Sequence, residues 1–125
     1  VLIAVTPGGA GTRHLIGAEA FAALGKDGIF INVARGSVVD QPALIAALRD
    51  GTILAAGLDV FDNEPNVPQE LIDQPNTVLL PHVASASHAT RDAMAQLAVD
   101  NLLAWAGGRA PVTPVPETPW PATRG

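Results

Sequence analysis

The 125-residue sequence contains no cysteine, which excludes a disulfide-stapled scaffold and any thiolate metal site. Positive charge is scarce. Seven Lys and Arg against twelve Asp and Glu give a net charge of -5, a poor balance for a nucleic-acid or anionic-membrane surface, although single cationic sites stay open. No apolar run reaches the roughly 20 residues of a bilayer-spanning helix, and no basic segment precedes the opening Val1-Leu2-Ile3-Ala4-Val5. Neither a span nor a leader is read, and a cytoplasmic location without a membrane partner is expected. An initiator methionine is missing too, so the chain reads as part of something longer. Charged residues make up only 15% and hydrophobic ones 48%, which rules out ordinary disorder. A folded chain of this length buries roughly 65% of the surface its unfolded form exposes, enough for a real core.

What is present alternates between apolar runs and helical patterns. Val1 to Val5 reads as a strand, and Thr6-Pro7-Gly8-Gly9-Ala10-Gly11-Thr12 as a loop, because three glycines and a proline sustain neither ladder nor helix. Residues 17–24 predict a short helix with Phe21 and Leu24 on one face, stopped by Gly25 and Gly28. Ile29 to Val33 is the next strand. Asp40 is the expected N-cap of a helix that carries Pro42 in its first turn, buries Leu44, Ile45 and Leu48, and ends at Gly51. Ile53 to Leu58 and Asn76 to Leu80 supply two more strands, with a turn at Gln69 to Asp73 between them. A longer helix runs from about Ser87 to Trp105, with Met94, Leu97, Ala98, Asn101 and Trp105 along one side, until Gly107-Gly108 ends it. Residues 107–125 carry too many prolines for a core element and read as an extended tail behind a domain of residues 1–106.

Strands apolar on both faces and separated by helices predict a parallel sheet covered on both sides, hence a doubly wound, Rossmann-like α/β fold. Such sheets bind ligands beyond the carboxyl ends of their strands. The chemically interesting residues fall there: Thr6-Pro7 after the first strand, Arg35 after the second, Asp59 and Glu64 after the third, His82 after the fourth. Taken singly, each has a plainer reading. Arg35 would as readily pair with a carboxylate, Glu64 before Pro65 reads as a solvated loop acid, His82 after Pro81 as structural, and Asp59 as a strand-end acid. His14, His82 and His88 lack the i,i+4 spacing of a helical zinc pair, and Gly8-Gly9-Ala10-Gly11 has neither dinucleotide-fingerprint spacing nor a P-loop lysine, so no metal is expected. Gly36 and Gly57 would permit close backbone approach, or serve turns and packing.

Taken together, Thr6-Pro7-Gly8-Gly9 with Thr12-Arg13, Asn32-Val33-Ala34-Arg35-Gly36-Ser37-Val38-Val39-Asp40, Gly57-Leu58-Asp59-Val60-Phe61-Asp62-Asn63-Glu64-Pro65 and Pro81-His82-Val83-Ala84-Ser85 resemble the D-isomer-specific 2-hydroxyacid dehydrogenase family. The resemblance covers about residues 1 to 116 and is strongest to the glyoxylate/hydroxypyruvate reductase branch. It implies the second half of a nicotinamide-cofactor domain that takes NAD or NADP, and a small 2-oxo or 2-hydroxy acid as substrate. By the same resemblance Arg35 would hold the substrate carboxylate, His82 would donate a proton to the carbonyl oxygen, and Glu64 would fix the imidazole. Thr6, Pro7, Val33, Ala34, Arg35, Asp59, His82, Ala84 and Ser85 would border the cofactor, with Asp59 accepting from the nicotinamide carboxamide, and the protein would form a homodimer.

The departure from the family is absence. The amino-terminal substrate portion and the earlier glycine-rich βαβ unit are not in this sequence, and Ser87 stands where threonine is common. The isolated chain is therefore expected to be inactive. The alternatives are a noncatalytic cofactor-domain or dimerisation module, and a phosphoglycerate- or formate-type dehydrogenase of the same family.

Overall fold

The structure, a computed structural model, describes residues 1–117 and Trp120; the rest of the Pro-rich tail lies outside the described residues. The chain divides into two compact units, residues 1–84 and 85–125.

The first unit is built on four strands, β1 (Leu2–Ala4), β2 (Ile29–Asn32), β3 (Ala55–Leu58) and β4 (Thr77–Leu79), all parallel and in the spatial order β1-β2-β3-β4. Helices α1 (Ala18–Leu24), α2 (Gln41–Arg49) and α3 (Gln69–Ile72) occupy the crossovers, so the expected parallel α/β sheet is present. Asp40 caps α2 through Oδ1, which accepts the N–H of Ala43 at 3.1 Å, and Pro42 sits in the first turn, a position where a missing N–H is harmless. Gly25 and Gly51 follow α1 and α2 with φ of 79° and 70°, a backbone region that glycine enters without Cβ strain.

The strands are shorter than the apolar runs that announce them. Ile53 does not join β3 because its N–H is committed to the Ala47 carbonyl at the end of α2, at 3.3 Å. It is nonetheless fully buried, so the apolar run marks burial correctly and pairing incorrectly. Two short 3-10 turns, Ala10–Thr12 and Gly36–Val38, lie in loops where the sequence predicts no helix.

Register separates the two faces of the sheet. Ala4, Phe30, Ala56 and Leu58 belong to the face that carries the core, where Phe21 of α1 meets Phe30 edge to face at 5.4 Å and Leu44 and Leu48 of α2 complete the packing. Ile3, Ile31, Gly57 and Val78 are laterally paired on the other face. There Ile3 is 52% and Val78 64% exposed. Ile31 and Gly57 between them are half-buried.

The second unit contains α4 (His88–Ala106), capped by Ser87 Oγ, which accepts the Thr90 N–H at 3.2 Å. It ends at Gly107, with Gly108 at φ 71°. The expected packing stripe is not buried: Met94, Leu97 and Trp105 are exposed, and Ala104 is the buried residue of the helix. Val99, Leu102 and Leu103 are exposed as well, so apolar side chains spread around the helix instead of along one side. Asn101 clasps the tail, its Oδ1 accepting the Thr113 N–H at 3.0 Å while its Nδ2 donates to Thr113 Oγ1 at 2.9 Å.

Candidate active site at the carboxyl ends of the strands

Arg35 follows β2 through a loop shaped by Asn32. Asn32 is almost fully buried, and its Oδ1 accepts the Ala34 N–H at 3.0 Å while its Nδ2 donates to the Arg35 carbonyl at 3.2 Å. One amide thereby satisfies two backbone groups that the strand ladder no longer reaches. The Arg35 side chain lies exposed, with Nη1 donating to the Ala34 carbonyl at 2.6 Å. Its stem rests over Gly8: a Cβ added there would stand 2.7 Å from Arg35 Cγ.

Gly36, next to Arg35, is buried against the loop after β3. A Cβ on Gly36 would overlap the Phe61 carbonyl group and the Asp62 nitrogen, so the absence of a side chain is what lets the two loops touch. Gly57 is different, because a Cβ there would meet only Ile31 Cγ1 at 3.9 Å.

Glu64 lies on that second loop. Its Oε1 accepts the Phe61 N–H at 2.9 Å, and its Oε2 lies 2.8 Å from His82 Nδ1. The hydrogen bond from His82, with a smaller contribution from the Phe61 N–H, holds the Glu64 carboxyl below its usual range. An ionised carboxylate only accepts, which assigns the proton of the pair to Nδ1 and leaves Nε2 as the ring atom available for other chemistry. His82 itself has φ 55°.

Arg35, Glu64 and His82 line one concavity of about 880 Å³ together with Thr6, Pro7, Val33 and Ala34. Thr6 Oγ1 is buried without a hydrogen-bond partner among the described residues, and nothing lies within 4 Å of where a Gly9 Cβ would be. A polar contact and open room at the end of β1 fit the edge of a nucleotide cofactor. Asp59 and Ala84 are not in this lining. Asp59 lies just behind it, accepting the N–H groups of Val83 and Ala84, and Ser85 opens the second unit. Among the described residues no three His, Cys, Asp or Glu side chains converge as a metal site, and no helix is long and apolar enough to cross a membrane. The sequence reading had no task for Asn32; its signal is an amide that ends an apolar strand just before the Arg35 loop.

Residues 1–84 match the family model described as D-isomer specific 2-hydroxyacid dehydrogenase, NAD binding domain. A 2-ketogluconate reductase of Gluconobacter oxydans is 49% identical over 115 residues, 92% of this chain and 37% of that protein. Glyoxylate/hydroxypyruvate reductase B of Erwinia tasmaniensis is 56% identical over 99 residues, 78% of this chain and 31% of that one. Among solved structures, the NADPH-dependent glyoxylate/hydroxypyruvate reductase of Sinorhizobium meliloti in complex with NADP and malonate superposes with a TM-score of 0.93 at 54% identity, covering 98% of this chain and 39% of that one. The chain thus spans well under half the length of these relatives.

Proposed function

The chain belongs to the D-isomer-specific 2-hydroxyacid dehydrogenase family, and from that premise we propose that the whole protein uses NADH or NADPH to reduce a small 2-oxo acid, with glyoxylate and hydroxypyruvate the first candidates. The observation that carries the reading is the 2.8 Å contact of Glu64 with His82 on the concavity that Arg35 also lines. Arg35 holds the substrate carboxylate and polarises the reacting carbonyl, a task suited to a planar, permanently cationic fork. His82 gives a proton to the carbonyl oxygen as hydride reaches the carbonyl carbon, and takes it back in the reverse oxidation. Glu64 keeps the ring oriented and its Nδ1 protonated, so that Nε2 handles the transferred proton. Thr6, Pro7, Val33 and Ala34 border the nicotinamide nucleotide, and Asp59 stands behind that border holding the Val83 and Ala84 amides; the bound cofactor would supply the hydride. Support for the choice of substrate comes from the relatives named as glyoxylate/hydroxypyruvate reductases.

The test is stopped-flow oxidation of each reduced cofactor with the candidate oxo acids, in the whole protein and in His82→Ala. Loss of the proton donor should lower hydride-transfer turnover by about 100-fold to 10000-fold with thermal unfolding unchanged; normal folding with undiminished turnover would defeat the assignment. The 125-residue chain alone, matching 37% of the Gluconobacter relative's length, should turn over little. A homodimer is part of the same reading, and light scattering across a concentration series checks it, with a monomer at every concentration counting against it.

A further inference from the structure

Asp59 is the single charged side chain among the described residues that the fold buries, at 3% exposure. Its two oxygens are spent on consecutive amides: Oδ1 accepts the Val83 N–H at 2.7 Å and Oδ2 the Ala84 N–H at 2.8 Å. Those amides directly follow His82, which is held at φ 55°, a left-handed conformation that a side chain with a Cβ disfavours. On the other side of His82 the sheet's own hydrogen bonding ends at Leu80, whose N–H donates to the Leu58 carbonyl at 2.8 Å. Leu58 and Asp59 are neighbours at the end of β3. The chain from β4 is therefore gripped at Leu80 by one of them and at Val83 and Ala84 by the other, and only Pro81 and His82 arch between the grips.

We infer that Asp59 is a positioning residue for His82: its carboxylate clamps the two amides beyond the histidine and so fixes the left-handed turn that brings the imidazole to Glu64. Two charge-assisted bonds to adjacent N–H groups define both position and direction of a main chain, which one bond would not. Left to itself, a histidine between a proline and a solvent-exposed segment would relax to negative φ, and the ring would leave Glu64 Oε2. The catalytic value of the clamp rests on the proton-transfer reading of His82, whereas the clamp itself does not.

The experiment accordingly begins without activity. Amide hydrogen exchange is measured by NMR on the 125-residue chain and on Asp59→Asn and Asp59→Ala. In Asp59→Ala, exchange at both Val83 and Ala84 should quicken by about tenfold to a hundredfold, the range expected when a hydrogen bond to a charged group is lost. In Asp59→Asn it should quicken mainly at one, because the amide keeps one acceptor and turns a donor toward the other N–H. The His82 Nδ1–H signal should broaden in both variants, while exchange at Phe30 and Leu58 stays as in the parent. If the alanine variant loses protection at Phe30 as well, the asparagine variant, nearly isosteric, decides. In the whole enzyme, the same substitutions should lower kcat with little change in KM for the reduced cofactor. Unchanged exchange at Val83 and Ala84, or a rise in cofactor KM at unchanged kcat, would overturn the positioning role and leave Asp59 as a cofactor contact.

Discussion

Gly36→Ala adds one methyl group at the point where the Arg35 loop meets the Glu64 loop. The new Cβ would overlap the carbonyl carbon and oxygen of Phe61 and the nitrogen of Asp62. These are backbone atoms, so no rotamer change relieves the clash. Ordinary carbon contacts begin near 3.5 Å, and reaching that separation requires the loops to part by roughly 1 Å or more. Overpacking of this kind costs typically about 1–3 kcal/mol, and opposition by main chain puts it at the upper end. At about 3 kcal/mol, a chain of this size should lose roughly 10–20 °C of Tm. The companion variant Gly57→Ala should change Tm by no more than a few degrees, since its Cβ would meet Ile31 Cγ1 at 3.9 Å. In the whole enzyme a 1 Å displacement between Arg35 and the Glu64–His82 pair should also cost about 100-fold in turnover. Melting followed by circular dichroism, together with turnover of whatever Gly36→Ala remains folded, tests the argument. A Gly36→Ala variant that melts within 2 °C or so of the parent would refute the claim that backbone proximity demands glycine there.

Gly8→Ala meets a side chain instead of main chain, 2.7 Å from Arg35 Cγ, so it should leave Tm nearly unchanged while displacing the arginine. KM for the oxo acid should rise about tenfold, the effect of weakening one charge-assisted contact by ~1.4 kcal/mol, and an unchanged KM would show that Arg35 does not use this rotamer. Glu64 titrates below its usual range because of the His82 hydrogen bond, then the Phe61 N–H. A lowered folded-state value stabilises fully above the unfolded glutamate value of roughly 4.3 and is lost as pH falls through the lower folded value. The stability difference between the parent and Glu64→Gln should accordingly be constant near neutrality and shrink below pH of about 4; urea titrations that give a pH-independent difference would contradict this.

The cap at Asp40 and the stops at Gly25 and Gly51 were legible because each depends on residues within one turn of one another, and the parallel sheet was legible because apolar runs alternate with helical patterns along the chain. Asp40 and Ala43 are three apart, and a glycine at positive φ needs no distant partner. Ile53 shows where local reading ends: its burial follows from its own side chain, but its exclusion from β3 depends on the Ala47 carbonyl across a turn. The arrangement of Asp59 with Val83 and Ala84 spans 24 and 25 residues, and nothing in the composition of either segment announces the other. The contact of Gly36 with Phe61 is of the same kind; sequence allowed close approach at Gly36 and Gly57 alike, and only the main chain of the loop after β3, pressed on Gly36 and not on Gly57, separates them. Helix α4 was legible in extent and not in burial: Met94, Leu97 and Trp105 mark one side, yet they are exposed and the buried residue is Ala104.

The partly exposed apolar face of the sheet has a practical consequence for these measurements. Ile3 and Val78 are exposed on the two edge strands of this face and Ile31 and Gly57 between them are half-buried, whereas Ala4, Phe30, Ala56 and Leu58 on the opposite face are buried. Dyes such as ANS brighten on exposed hydrophobic surface and are commonly taken to report loosened, molten states. This sheet would bind such a dye while every strand is still paired, giving a high signal at low temperature and a flattened or inverted melting curve. A bright native baseline here is a property of the ordered fold, and ring-current-shifted methyl resonances around Phe21 and Phe30 would remain sharp in the very sample that glows.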